Sequence, residues 1–197
     1  MERTQKYLSA VSLVGSPLLI LAYFATYPAY GLVHGDDIAR AISADPGRTR
    51  TADIFAFAGA FLAVPAVLTY MRVLRRGSPR LAAIGGSLAL LGWTSLVGVL
   101  MVDVVAAELG EQVTLFERVY SDPLVVVLNG LTSLHIVGAV MIGIALVRTR
   151  FVAALLAVAV TAAPLVHLAA NLGGQLWLDA ITWIVTAVTG AVVASRL

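Results

Sequence analysis

Histidines and acids within otherwise apolar stretches are the residues best able to do chemistry in this chain. His135 lies in NGLTSLHIVGAVMIGIALVRTR, from Asn129 to Arg150, where nearly every other residue is small or apolar. His167 and Asp179 lie in two further apolar stretches. Imidazole and carboxylate groups bind protons, metal ions and hydrogen-bonding ligands, and their role depends on whether water, protein or lipid surrounds them.

The composition indicates that these stretches cross a membrane. Of the 197 residues, 60% are hydrophobic and only 12% are charged, whereas charged residues make up about 25% of a typical soluble domain. A bilayer core of about 30 Å is crossed by about 20 apolar residues. Six stretches approach that length, namely 8–27, 54–74, 81–105, 124–147, 151–170 and 176–195. Because isolated strands cannot satisfy their backbone in lipid, the sequence predicts one all-α domain over residues 1–197, a polytopic transmembrane bundle of six helices.

The basic residues predict the orientation of this bundle. With the N-terminus in the cytoplasm, the inner helix ends hold Arg3, Lys6, Arg72, Arg75, Arg76, Arg80, Arg148, Arg150 and Arg196. The outer side then holds only Arg40, Arg48, Arg50 and Arg118. Because basic residues near short loops stay in the cytoplasm, both termini are expected there, in a plasma or inner membrane.

The loops contain recognisable helix starts. Asp36 is a suitable cap for a short helix that ends at about Ser43, and Asp122 with Pro123 is a suitable start for the fourth span. Apolar residues within 108–122 predict an interfacial helix on the membrane surface.

Polar residues on four of the predicted spans indicate a polar interior that opens to the outer side. Charged and polar groups within the membrane normally face the bundle and not the lipid. The expected ligand-binding residues are His135, Asn129, Thr132, Ser133, Asp103, His167, Asp179, Thr182 and Thr186. The alternative for His135 is a purely structural ring, neutral and hydrogen-bonded to a neighbouring helix.

Two histidines on neighbouring helices are also how b-type cytochromes hold haem. At 1.5 Å per residue, however, His135 is expected about 13 Å below the outer boundary and His167 about 5 Å below it. No cofactor is therefore predicted, with haem b as an alternative. The outer loop offers a metal site from His34, Asp36 and Asp37 with His167, against the simpler interpretation of a solvated turn and helix cap.

Several activities are excluded by missing residues. The chain has no cysteine, which excludes disulfides, thiol catalysis and iron–sulfur ligation. Its only lysine, Lys6, precedes the first span, so no retinal Schiff base can form within the membrane. The GxSxG, HExxH and P-loop motifs are absent. No catalytic residue is predicted, and the net charge of +2 gives no reason to expect a nucleic-acid partner.

Three segments carry a family resemblance: FLAVPAVLTYMRVLRR (61–76), RLAAIGGSLALLGW (80–93) and HIVGAVMIGIALVRTR (135–150). They resemble small six-helix membrane proteins of high-GC bacteria, similar to the domain of unknown function numbered 4386. The resemblance implies a bacterial inner-membrane location and supplies no activity to transfer.

The leading interpretation is a small-ligand-binding, lipid-binding or accessory membrane protein. Its expected contacts are the lipid bilayer and a membrane-protein partner or further copies of itself. A haem- or metal-binding redox protein is the first alternative, and a transporter of small solutes or ions is the second.

Overall fold

The computed structural model describes residues 3–32, 35–109, 115, 118–119 and 121–197. Within these residues there are eight helices and no strand. The helices are α1 (Arg3–Thr26), α2 (Gly35–Ala44), α3 (Pro46–Leu74), α4 (Pro79–Leu109), α5 (Pro123–Thr132), α6 (Leu134–Thr149), α7 (Ala154–Leu172) and α8 (Leu176–Ala194).

Six membrane spans account for most of the chain. They are α1, α3, α4, α5 with α6, α7 and α8, each long and apolar enough to cross a bilayer. This confirms the predicted all-α fold with six spans. Large apolar side chains point outward from the bundle, and Leu155 is 83% exposed. Such a surface suits lipid, because lipid tails solvate apolar side chains and water does not.

The spans form a closed ring. Each one packs against the next along the chain, and α1 packs against α8. The short helix α2 covers one end of this ring, where Ile42 is fully buried and packs in a cluster with Ala107 of α4. We call this the α2 end of the bundle.

Small residues let the helices approach closely. A methyl group added at Gly190 of α8 would collide with the backbone of Leu13 in α1, and one at Gly59 would press on Ile20. Ser16 of α1 donates a hydrogen bond to the Gly59 carbonyl at 2.9 Å. Because lipid gives no hydrophobic drive for association, this close packing and these hydrogen bonds hold the ring together.

The loop predictions are confirmed in two places. The short helix predicted to end at about Ser43 is α2, but it begins at Gly35, so Asp36 lies in its first turn and is not its cap. At the start of α5, the Asp122 carboxylate accepts the Leu124 N–H at 2.8 Å, and Pro123 follows at the first position. The interfacial helix predicted within 108–122 lies largely outside the described residues.

The third helix begins earlier than expected, at Pro46 and not near residue 54. The cause is local. The Asp45 side chain accepts the Arg48 N–H at 3.0 Å, and Pro46 occupies the first helical position. An acidic cap followed by proline is a strong helix start, so the helix extends past the apolar stretch.

The fourth span is broken at Ser133, between α5 and α6. There Ile136 N–H bonds to the Ser133 carbonyl, three residues back, at 3.1 Å. In a regular α-helix it would bond to Thr132. The Thr132 carbonyl is thereby released and becomes available to a side chain.

Candidate binding site at the centre of the bundle

A cavity of about 120 Å³ lies inside the ring and is lined by all six spans. Most of its lining is aliphatic or aromatic. The polar and aromatic residues on it are Ser16, Tyr70, Trp93, His135, His167, Thr182, Trp183 and Thr186. Ligand sites are characteristically apolar cavities with few, well-placed polar groups.

His135 lies on this lining, just after the break in the fourth span. Its ring Nδ1 lies 2.5 Å from the Thr132 carbonyl oxygen, the acceptor that the break released. A carbonyl can only accept, so Nδ1 carries the proton and donates it. In the neutral ring Nε2 is then an acceptor. The ring also packs against Trp93 with centroids 5.0 Å apart.

His167 is held by a buried acid. Its Nδ1 and the Asp179 Oδ1 are 2.7 Å apart. Asp179 is fully buried, and its Oδ2 accepts the Tyr30 hydroxyl at 3.1 Å; the Thr182 hydroxyl lies 3.2 Å from Oδ1. Two donors therefore converge on one carboxylate beside a further hydroxyl, which offsets the cost of removing it from water.

Tyr30 joins this network from the connection between α1 and α2. Burial, and secondly the Asp179 carboxylate, raise the pKa of the Tyr30 hydroxyl well above its ordinary value of 10.0. The hydroxyl therefore remains protonated at neutral pH and donates to Asp179. The connecting segment is tied in this way to α8 at the α2 end.

The two imidazoles approach each other, with ring centroids 6.4 Å apart. The depths expected from the sequence placed the two rings too far apart, because a count of residues gives the depth of each Cα atom and not the depth of its ring. Side chains lean toward the N-terminus of their own helix. The helices α6 and α7 run in opposite directions, so His135 leans toward the α2 end while His167 leans away from it.

Several polar atoms on the lining have no hydrogen-bonding partner among the described residues. They are the Nε2 atoms of His135 and His167, whose bonds are made through Nδ1, the Nε1 atoms of Trp93 and Trp183, and the Tyr70 hydroxyl. The other three hydroxyls on the lining donate to backbone carbonyls, and Ser16 donates to that of Gly59. Thr182 donates to the Asp179 carbonyl at 2.7 Å, and Thr186 donates to the Thr182 carbonyl at 2.8 Å.

The other predicted residues of the fourth span do not reach the cavity. Asn129, Thr132 and Ser133 each donate to a carbonyl of their own helix, four residues earlier, and Ser133 is exposed. None of the three lines the central cavity, so their role in ligand binding stays a prediction. Asp103 is also separate, at the α2 end, where it lines a second cavity with Tyr27.

The described members of the predicted loop metal site do not assemble with His167. Asp36 and Asp37 pair instead with Arg40 on the surface of α2, at 3.1 and 3.5 Å. His34 lies outside the described residues. Within the described ranges, no group of three or more histidines and acids is placed to hold a metal ion.

Sequence reasoning missed the aromatic and tyrosine residues of the site. Trp93 and Trp183 pack against the histidines, Phe24 packs against His167 at 5.2 Å, and Tyr30 binds Asp179. A signal existed for the two tryptophans. Tryptophan in membrane proteins favours the interface, so one well inside an apolar stretch indicates contact with something other than lipid.

No known family model, no curated protein and no solved structure matches this chain. The resemblance to the six-helix proteins of high-GC bacteria therefore stays a prediction.

Proposed function

We propose that this membrane protein binds a small, mainly apolar molecule that carries a hydroxyl group. The observation behind the proposal is a set of polar atoms without partners among the described residues, with the Nε2 atoms of His135 and His167 and the Trp183 indole N–H among them, on residues that line one apolar cavity. Buried polar atoms in proteins are nearly always paired. A ligand that pairs them would gain the hydrogen bonds that the protein itself leaves unmade.

A hydroxyl complements these three atoms better than other simple groups. It can donate to an imidazole Nε2 and accept from the Trp183 N–H at the same time. The cavity of about 120 Å³ has the volume of about four water molecules at roughly 30 Å³ each. A single aromatic ring has a comparable size, since an engineered cavity of about 150 Å³ binds benzene. A phenol therefore represents the expected ligand class.

The surrounding side chains suit such a ring. Trp93 and Trp183 stand near each other with centroids 6.4 Å apart, and each packs against one of the histidines. Aromatic pairs contribute about 0.5–1.5 kcal/mol beyond the area that they bury. The hydrogen bond from His167 to Asp179 fixes the tautomer in which Nε2 faces away from the acid as an acceptor.

Intrinsic fluorescence tests the proposal directly. The chain has three tryptophans, and Trp177 is exposed, so W177F leaves only the two on the cavity. We expect phenol to change the fluorescence of this variant in detergent and to bind at least tenfold more tightly than anisole. The hydroxyl hydrogen bonds account for this difference, at about 1.4 kcal/mol for each factor of ten.

Both probes also partition into the detergent micelle. Two further variants distinguish this partitioning from binding in the cavity. H135L on the W177F background should abolish the preference for phenol over anisole. L155A, at a lipid-facing position, should keep it. Equal affinities for phenol and anisole in W177F, or an unchanged preference in H135L, would contradict the proposal.

A metal-binding function is the second candidate, and one geometric observation favours it. Both imidazoles use Nδ1 for a hydrogen bond to oxygen, as histidines that ligate metals through the other nitrogen usually do. Their centroid separation of 6.4 Å exceeds by about 1 Å that of two imidazoles on one tetrahedral ion about 2.1 Å from each Nε2, so the rings would have to move closer to share it. The cavity volume does not accommodate a porphyrin, so the group would be a bare ion and not haem.

Metal analysis distinguishes the two candidates. A transition metal that copurifies with the protein, and is lost from both H135L and H167L, would favour the metal site. Phenol binding by metal-free protein, with stoichiometry near one, would favour the hydroxyl ligand.

We also propose that both termini face the cytoplasm of a bacterial inner membrane. The support is the distribution of basic residues, which concentrate at the end of the ring opposite α2. There Arg196 bonds to the Phe151 carbonyl and lies 5.8 Å from the centre of its ring. The positive-inside rule relates this end to the cytoplasm.

A further inference from the structure

Asp53 is a buried acid without a partner. It lies in the first third of α3, near the α2 end, and is 3% exposed. Neither of its carboxylate oxygens forms a hydrogen bond with any described residue. A buried charge costs several kcal/mol unless it is paired, so either a proton or a bound cation must neutralise this carboxylate.

A second buried acid faces Asp53 across the contact between α3 and α4. Asp103 is 4% exposed, and its carboxylate interacts electrostatically with that of Asp53. The residues around them share one cluster, since Ala52 and Ala56 pack with Leu100, one turn before Asp103. Like charges destabilise each other at short range, so the second acid increases the need for a positive partner.

The nearby basic residues are engaged elsewhere. Arg50 pairs with Glu108, and Arg48 donates through Nε to the Thr26 carbonyl at 2.7 Å. Among the described residues, no lysine or arginine forms an ion pair with Asp53 or Asp103. The Tyr27 hydroxyl donates to the Asp103 Oδ2 at 3.0 Å, which supplies a hydrogen bond but no charge.

Space for water adjoins Asp103. A second cavity of about 160 Å³, distinct from the histidine cavity, is lined by Tyr27, Tyr30, Asp103 and Asn171. Its volume corresponds to about five water molecules. Water in this cavity could therefore supply additional oxygen ligands to a cation at the acids, at the α2 end.

We propose that Asp53 and Asp103 bind a hard divalent cation, Mg²⁺ or Ca²⁺, at the α2 end of the bundle. Two carboxylates neutralise its charge, and water in the adjoining cavity completes its coordination, as is usual for Mg²⁺ and common for Ca²⁺. The ion joins α3 to α4 and holds the α2 end closed. The site is independent of the central cavity.

Thermal unfolding in detergent tests the site. Wild-type protein with millimolar CaCl₂ or MgCl₂ should unfold about 5 °C or more above the same protein with EDTA and KCl at equal ionic strength. D53N should lose this increase. The double variant D36N/D37N removes two exposed acids of α2 and should keep it. No increase in the wild type, or an increase that survives in D53N, would overturn the proposal; the first result would indicate that the acids share a proton instead, and the second that the cation binds elsewhere.

Terbium luminescence gives a second test that needs no variant to fold. Tb³⁺ takes the oxygen ligands of Ca²⁺ and is excited by a neighbouring phenol ring, here Tyr27. Wild-type protein should show tyrosine-sensitised emission that saturates at one Tb³⁺ per chain and is displaced by Ca²⁺. Absence of sensitised emission, or emission that Ca²⁺ does not displace, would contradict the site.

Discussion

His167 of α7 and Asp179 of α8 are joined by a hydrogen bond of 2.7 Å between Nδ1 and Oδ1, inside a ring of six membrane spans. This bond connects the buried acid to the imidazole on the cavity lining. On one side, Asp179 accepts the Tyr30 hydroxyl and lies beside that of Thr182. On the other, the His167 ring uses Nδ1 for this bond, so its Nε2 has no partner among the described residues. The buried acid therefore determines the orientation of the imidazole and which of its two nitrogens is left for a ligand.

Replacing this acid should destabilise the protein. D179N keeps the shape of the side chain but removes its charge and offers one acceptor oxygen to the two donors, His167 and Tyr30. Hydrogen bonds to a charged group contribute about 1.5–3 kcal/mol each, so we expect the free energy of unfolding to fall by about 2–4 kcal/mol. Denaturant titration in detergent measures it. D36N, at an exposed ion pair, is the control and should change stability little; equal effects of the two substitutions would contradict the role of Asp179.

His135 should tolerate asparagine better than leucine. Asparagine retains a donor for the Thr132 carbonyl, whereas leucine leaves that carbonyl unpaired at a cost of about 1–3 kcal/mol. H135N is therefore expected to unfold at a higher denaturant concentration than H135L. If the two variants are equally stable, the hydrogen bond at the Ser133 break does not support the fold.

Substitution of His135 should affect ligand binding and stability differently. The short asparagine side chain cannot reproduce both imidazole nitrogens, so we expect H135N to lose phenol binding although it is folded. Fluorescence titration on the W177F background measures this. Normal phenol affinity in H135N would restrict His135 to a structural role.

Alkaline pH should weaken the contact between Tyr30 and Asp179. Because the folded-state pKa of Tyr30 is raised above 10.0, its contribution to stability is fully present below pH 10 and is lost as pH rises toward the folded-state pKa. Y30F should therefore show a smaller loss of stability than wild type between pH 9 and pH 11. The effect is modest because the ring is only partly buried. Y7F, at an exposed ring, should follow the wild-type curve, and identical curves for all three proteins would contradict the prediction.

Cysteine labelling tests the proposed orientation, and the absence of native cysteine makes each variant unambiguous. A44C, at the exposed end of α2, should react with a membrane-impermeant maleimide in intact cells. R76C, in the exposed connection between α3 and α4, should react only after the cells are opened. The reverse pattern would place both termini outside.

The fold was largely predictable because it follows from hydrophobicity. Spans such as Leu176–Ala194 differ little from their predicted limits, since charge and hydropathy determine where a helix leaves lipid. The early start of α3 at Pro46 was not found, because a helix can continue past its apolar part when a cap such as Asp45 supports it.

The site was predictable only in part. His135, His167, Asp179 and Thr182 were identified because polar residues within a membrane face the bundle. The break at Ser133 was not identified, since no proline or paired glycine marks it. The contact between Tyr30 and Asp179 joins residues 149 positions apart, and no local pattern encodes such a contact.

Nitrogen-15 NMR of histidine-labelled protein tests the central claim most directly. With His34 replaced by glutamine, only His135 and His167 contribute signals. If a hydroxyl ligand binds between them, phenol should shift at least one Nε2 resonance. Both Nδ1 atoms should remain protonated. Anisole should shift neither Nε2 resonance. Saturating phenol that leaves both Nε2 resonances unchanged would contradict a hydroxyl-binding site at this histidine pair.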